Sequence, residues 1–339
     1  MAETRTLREV GEHPFLRELC ERLRARAAGR RRGGAPPPLV GPGDDCAVLP
    51  RLDVPLAVTT DVLVDGVHFR SAWLRPAEIG RRAIAVNLSD LAAMGATPAY
   101  TLVSVTAPPE LLARDLDALL DAGAAASEEA GALLVGGNLS SASALAVTVT
   151  ALGTVEGPCL TRAGARPGDH LVVTGTLGGA AAAVAAWSAG REPEPAIRAR
   201  FAAPEPRVAA GRVLAGAGAH AAIDVSDGLL ADLGHLCTAS GVGAVVERAA
   251  LPRLPEVAAR DARGEELAAT GGEDYELLFA CPDATVRRLD ELAAAAGVAL
   301  TVIGRFTEAA DGIVLRDADG RTRRPDGIAA GFDHFGRHA

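Results

Sequence analysis

The sequence predicts an α/β (α+β) protein of two domains, and three observations lead there. Its 339 residues exceed what one hydrophobic core usually organises, and 49% of them are apolar, enough to build two. Strand-like and helix-like segments alternate along most of the chain. Between two strand-like runs lies "VEGPCLTRAGARPGDH" (155–170), whose glycine, proline and arginine content is that of a linker. The boundary is placed near residue 157, giving an N-terminal domain over 1–157 and a C-terminal domain over 158–339.

The first domain opens on a helical segment, followed by "RARAAGRRRGGAPPP" (24–38), where basic residues and then glycine and proline predict a flexible surface loop. "PLAVTTDVLV" (55–64) reads as a buried strand. "PAEIGRRAIAVNLSDLAAMG" (76–95) reads as a helix, begun by Pro76 and closed by Gly95. The strand "AYTLVSVTA" (99–107), the amphipathic helix 109–131, the short strand "ALLVGG" (132–137) and the alternating strand "ALAVTVTALG" (144–153) complete the domain.

The second domain begins with "LVVTGTLGGAAAAVAAW" as strand, turn and helix, and "APEPRVAAGRVLAGAG" as a helix. "AAIDVSDGLLADLGHLCTASG" follows as strand, turn and helix. The strand "YELLFACP", the helix "ATVRRLDELAAAAG" and the strand "VALTVIGRF" close it. The glycines of "VTGTLGG" do not follow the spacing of a dinucleotide fingerprint, so they are assigned to a tight turn or close packing.

Composition removes several function classes. All 34 basic residues are arginine, so a phosphate-loop lysine, a kinase strand lysine and a Schiff-base lysine are ruled out. A net charge of −9 disfavours a nucleic-acid binder. The five cysteines show no paired spacing and are read as small apolar residues, not as disulfides or zinc ligands. No apolar run is long enough to span a bilayer and the start lacks a secretory signal, so a cytoplasmic protein with no membrane partner is expected.

Carboxylates recur at turns and at strand ends. Asp44 and Asp45 sit in "GPGDDCAVL", Asp61 in "TTDVLVDGVHF", Asp224 and Asp227 in "IDVSDGLLADLG", and Glu273 and Asp274 in "GGEDYELLF". On the 76–95 helix, Ile79, Ala83, Val86 and Asp90 share one face, which sets a carboxylate on an apolar stripe. An ionised group there needs a tertiary partner, a capping role or a metal. Oxygen-rich clusters suit Mg²⁺, a hard cation that takes one or two carboxylates together with substrate phosphates. The bland readings stay open: a Gly-Asp turn is ordinary, His68 can be structural, and Ser226 or Asp227 can be a helix cap.

Taken in order, "GPGDDCAVL", "TTDVLVDGVHF", "AVNLSDLAAMGATP", "VGGN", "LTRAGARPGDHLVVTGTLG", "IDVSDGLLADLGH", "GGEDYELLF" and "GFDHF" resemble the thiamine-monophosphate kinase family over nearly the whole chain. That family lies within the aminoimidazole ribonucleotide synthetase-like superfamily. The resemblance implies an N-terminal domain that forms a dimeric barrel-like sheet, a C-terminal α/β domain, and an active site in the cleft between them. It implies direct transfer of the γ-phosphoryl group of ATP to thiamine monophosphate, with several Mg²⁺ ions, in a homodimer.

By the same resemblance, Asp45, Thr59, Thr60, Asp61, Asp90, Asn138, Asp224 and Asp227 are metal ligands, with Asp44 flanking. Gly137, Asn138, Arg162 and Ser226 meet ATP, and His68, Glu273 and Phe332 meet thiamine monophosphate. No nucleophile or general base is assigned, because the acceptor is already an ionised phosphate. One departure stands out: the family's Gly-Gly-Asp-Thr reads "GGNLS" here, so Asn138 replaces a metal-binding aspartate. An active enzyme with weakened metal or nucleotide affinity is expected. The alternatives are another ATP-dependent reaction of the superfamily, or a nucleotide-binding homologue impaired by Asn138. The absent lysine and the terminal "GRHA" argue against the selenophosphate synthetase and hydrogenase-maturation branches, respectively.

Overall fold

The computed structural model describes residues 4–29 and 35–325, so Phe332 and most of the 30–38 loop lie outside the described residues. The chain divides into two units, one formed by 1–91 and 96–156, the other by 92–95 and 157–339.

The first unit begins with α1 (Leu7–Val10) and α2 (Glu12–Ala28), continues through β1 (Leu56–Val64), α3 (Pro76–Ala93) and β2 (Thr97–Ala107), and ends with α4 (Ala113–Glu129), β3 (Leu133–Ser141) and β4 (Ala146–Thr154). Phe15, Leu19 and Leu23, spaced by four, form the buried face of α2. Its polar side is held by Arg22, which pairs with Asp117 and Asp121 of α4, and by Arg26, which pairs with Glu128. The stripe predicted on α3 is real, with Ile79, Ala83 and Val86 all buried.

These strands form a sheet in the order β1-β4-β2-β3, with β2 and β3 parallel and the other pairs antiparallel. β4 alternates as predicted, burying Val147, Val149 and Ala151 on one face. The structure departs from two expectations. No barrel-like closed sheet is present among the described residues: the sheet is open, with β1 and β3 at its two ends and separated by β4 and β2. The 55–64 run, read as buried, is an edge strand on which Val58 remains 63% exposed and Leu56 and Val62 are also exposed. A β-branched run has the same composition in either place.

The second unit contains β5 (His170–Thr174), α5 (Gly179–Ser188), α6 (Pro195–Ala202), α7 (Val208–Gly216), β6 (Ala221–Val225), α8 (Leu229–Ser240) and β7 (Val242–Glu247). It continues with α9 (Pro255–Ala258), α10 (Asp261–Thr270), β8 (Glu276–Cys281), α11 (Asp283–Val286), α12 (Leu289–Ala296), β9 (Leu300–Glu308), β10 (Ile313–Arg316) and β11 (Thr322–Arg323). The sheet runs β11-β10-β7-β9-β5-β8-β6. Its central strands are buried on both faces, with Leu171, Val173, Leu278 and Ile303 in one core and Val172, Leu277 and Phe279 in another. The helix read over 284–297 is two helices, broken near Arg287 and Arg288. All five cysteines are free: Cys237 and Cys281 are buried as expected, whereas Cys46 and Cys159 are exposed.

Candidate active site

In the first unit the loop after Gly41 lies over a cavity of about 720 Å³, whose lining includes Asp44, Asp45, Gly137, Asn138, Arg17 and Arg24. Four residues singled out in the sequence thus meet at one cavity. The Asp44 and Asp45 side chains are exposed, and Asp44 Oδ1 accepts the Asp45 N–H at 3.0 Å, so the paired carboxylates are set by a turn. Gly137 pairs with Val103 across the parallel β2 and β3 strands. A Cβ there would lie 1.8 Å from the Val103 carbonyl oxygen, which only glycine avoids.

A second group gathers on β1 and α3. The Thr59 hydroxyl donates to Asp90 Oδ2 at 2.6 Å, which gives the carboxylate at the end of the apolar stripe its partner. Strand alternation puts Asp61 on the same side as Thr59 and turns Thr60 away. The Thr60 hydroxyl accordingly engages β4, at 3.1 Å from both the Val149 carbonyl oxygen and the Thr150 hydroxyl. His68 lies in the turn that ends β1, where its Nδ1 accepts the Val64 N–H at 3.0 Å. That bond selects the tautomer with its proton on Nε2.

In the second unit Asp224 is buried at the end of β6, followed by Ser226 and Asp227 before α8. Neither Ser226 nor Asp227 caps the helix through its side chain. The loop is instead held by Asp232, in the first turn of α8, whose Oδ2 accepts the N–H groups of Ser226, Asp227 and Gly228 at 3.0, 3.1 and 3.1 Å. Gly228 has φ +117°, and its Cβ would sit 2.6 Å from the Thr270 carbonyl oxygen. Burial, then the charges of Asp224 and Asp227, push the Asp232 carboxyl up to about 7. The signal in the sequence for this role is an acid placed early in a helix, after a turn rich in N–H groups. Arg162 lies on an exposed turn, its carbonyl accepting the Ser240 hydroxyl at 2.8 Å.

Glu273 begins a segment of unusual backbone. Glu273 and Tyr275 have φ of +72° and +51°, a conformation costing roughly 1 kcal/mol or more for a residue with a side chain. The segment is bound to the Asp224–Asp227 loop: the Glu273 N–H donates to the Ser226 carbonyl at 2.7 Å and the Tyr275 N–H to the Val225 carbonyl at 2.9 Å. Between them Asp274, only 2% exposed, accepts the Gly178 N–H at 2.6 Å and the Ala180 N–H at 3.3 Å, capping α5. Burial is the main cause that pushes its carboxyl up to about 7. Glu276 beside it is 0% exposed and bonded to Arg200, Arg207 and Thr174. Burial raises the Glu276 carboxyl, but these partners outweigh it and hold it below the usual range.

The donors gathered in both units are carboxylate, hydroxyl and amide oxygens, which suits Mg²⁺ and not a soft metal. Among the described residues no three His, Cys, Asp or Glu side chains form a ready metal cage.

Residues 43–155 match the family model of the AIR synthase related protein N-terminal domain, and residues 166–316 that of the C-terminal domain. The thiamine-monophosphate kinase of Mycobacterium tuberculosis (strain ATCC 25618 / H37Rv) is 40% identical over 283 residues, covering 81% of this chain and 82% of that protein. The crystal structure of thiamine-monophosphate kinase from Stenotrophomonas maltophilia K279a superposes with a TM-score of 0.80 at 38% identity, covering 89% and 96% of the two chains. A structure of AaThiL complexed with AMPPCP and TMP superposes at 0.74 with 31% identity, over 98% and 99%. Because the Mycobacterium tuberculosis relative is 40% identical over 81% of this chain, this chain belongs to the thiamine-monophosphate kinase family.

Proposed function

We propose that this chain transfers the γ-phosphoryl group of ATP directly to the phosphate of thiamine monophosphate, giving thiamine diphosphate and ADP. The observation that carries the reading is its likeness, across nearly its full length, to AaThiL complexed with AMPPCP and TMP. The nucleotide contacts are assigned to Gly137 and Asn138 at the first unit's cavity and to Arg162 and Ser226 in the second unit. His68, Glu273 and Phe332 are assigned to thiamine monophosphate.

Mg²⁺ fits the oxygen donors of Asp45, Thr59, Asp61, Asp90, Asn138, Asp224 and Asp227, and when bound it would screen phosphate charge. Thr60 belongs to the same assigned set, although its hydroxyl already engages β4. The protein's own part is to bind and orient. Arg162 offers a fixed cation on an exposed turn, and the turn at Asp44 and Asp45 holds two acceptors at the cavity mouth. The acceptor phosphate is ionised, so no side chain has to remove a proton. The bond from the Val64 N–H to His68 Nδ1 leaves that nitrogen no role as a base. A homodimer is part of the proposal, supported by the apolar exposed edge strand β1. So is a cytoplasmic location, supported by the lack, among the described residues, of any helix long and apolar enough to cross a membrane.

The test is an assay with ATP, Mg²⁺ and thiamine monophosphate that resolves thiamine diphosphate, run beside Asp45→Asn. The protein should form thiamine diphosphate, and the variant should lose at least about tenfold in rate, the factor given by ~1.4 kcal/mol of transition-state stabilisation. Absence of product at every magnesium concentration overturns the proposal.

A further inference from the structure

We propose that Tyr275 is a positioning residue, whose phenol fixes the direction of the Glu273 carboxylate that meets the substrate; this rests on the assignment of Glu273 to thiamine monophosphate made above. The Tyr275 hydroxyl donates to Glu273 Oε2 at 3.0 Å. Its ring is buried, so the hydroxyl is presented from a fixed point. Residues two apart can meet in this way because the backbone between them is not a regular strand, with positive φ at both Glu273 and Tyr275.

That backbone is held from three sides. Ser226 and Val225 accept the N–H groups of Glu273 and Tyr275, and Asp274 is tied to the first turn of α5 through Gly178 and Ala180. With the main chain fixed, what remains to be set is the rotamer of a half-buried glutamate, and the phenol's hydrogen bond favours one direction for it. A phenol suits this task better than an arginine. It donates one hydrogen bond without cancelling the carboxylate's negative charge, which is of opposite sign to the thiazolium cation of the substrate.

The experiment compares Tyr275→Phe, Glu273→Gln and the double variant in steady-state kinetics with ATP and thiamine monophosphate, together with thermal unfolding. Phenylalanine keeps the buried ring and removes only the hydroxyl. Tyr275→Phe should raise KM for thiamine monophosphate about fivefold, the cost of ordering one long side chain on binding. It should leave kcat, KM for ATP and the unfolding midpoint unchanged. Glu273→Gln should raise the same KM roughly tenfold or more, as loss of a charged contact does. The double variant should then be no worse than Glu273→Gln alone.

If Glu273→Gln raises KM while Tyr275→Phe matches the unmodified protein, the phenol does not position the carboxylate and the inference fails. A lower unfolding midpoint with kcat and both KM values altered in Tyr275→Phe marks a structural role and also overturns it. Should Glu273→Gln leave KM for thiamine monophosphate unchanged, the assignment of Glu273 is what fails, and the inference falls with it.

Discussion

Asp274→Asn should change how stability depends on pH, and the size of the change follows from where Asp274 sits. Its carboxyl is 2% exposed and pushed from 3.8 up to about 7, chiefly by burial, against the pull of the Gly178 N–H, Arg200 and the Ala180 N–H. Between those two values the folded protein keeps the proton that the unfolded chain has released. Stability from this group is therefore fully present below 3.8 and lost as pH rises through about 7. The whole loss is about 4 kcal/mol, of which about 3 kcal/mol falls between about pH 5 and about pH 8.

Asparagine does not titrate, so the variant lacks this term while keeping every other titrating group. The assay is urea unfolding of both proteins across that pH range, read by the fluorescence of Trp187 on the helix that Asp274 caps. The stability of the variant minus that of the unmodified protein should rise by about 3 kcal/mol toward high pH, whatever its value at low pH. A difference that stays flat would refute the reasoning, since it would mean Asp274 ionises as easily in the fold as in water.

Two further outcomes follow from the same region and from the first unit. Glu276→Gln should destabilise the protein by about 3–5 kcal/mol in urea unfolding, because it leaves the guanidinium groups of Arg200 and Arg207 without their buried counter-charge. A loss below about 1 kcal/mol would place that network among weak surface pairs. Asn138→Asp should lower the magnesium concentration needed for half-maximal rate about fivefold, the factor ~1 kcal/mol supplies, by adding a carboxylate beside Asp44 and Asp45. An unchanged requirement in magnesium titrations removes Asn138 from the metal site.

Part of the local geometry around the candidate residues was legible in residue order because its signals are local. The four-three-four spacing on α3 exposed the problem of Asp90, and Thr59 turned out to be its tertiary partner. Gly137 drew attention only as a nucleotide contact implied by resemblance, and the structure adds that its backbone lies too close to Val103 for a side chain. What the sequence concealed was long-range. An apolar run such as 55–64 looks the same in the centre of a sheet and at its edge, and only the pairing of β1 with β4 alone decides between them.

The closed sheet implied by resemblance fails on the same point, since strand order is not written in any one strand. β10 has only four residues, too few for periodicity to find, and β7 follows α8 with only Gly241 between them. Asp232 was not singled out, and Asp274 was singled out only as part of an acidic turn, for a different reason. Each holds backbone that lies elsewhere in the fold or behind it in the chain, and a carboxylate in sequence does not announce which N–H groups it will accept.

Direct phosphoryl transfer is the central claim, and a single-turnover experiment with ATP labelled in its γ-phosphate tests it most plainly. Mixed with excess protein, Mg²⁺ and thiamine monophosphate, the label should appear in thiamine diphosphate at the rate that ADP forms, with none accumulating on the protein or as free phosphate. Label released as inorganic phosphate while thiamine monophosphate stays unchanged would contradict the account and point to another ATP-dependent reaction on the same fold.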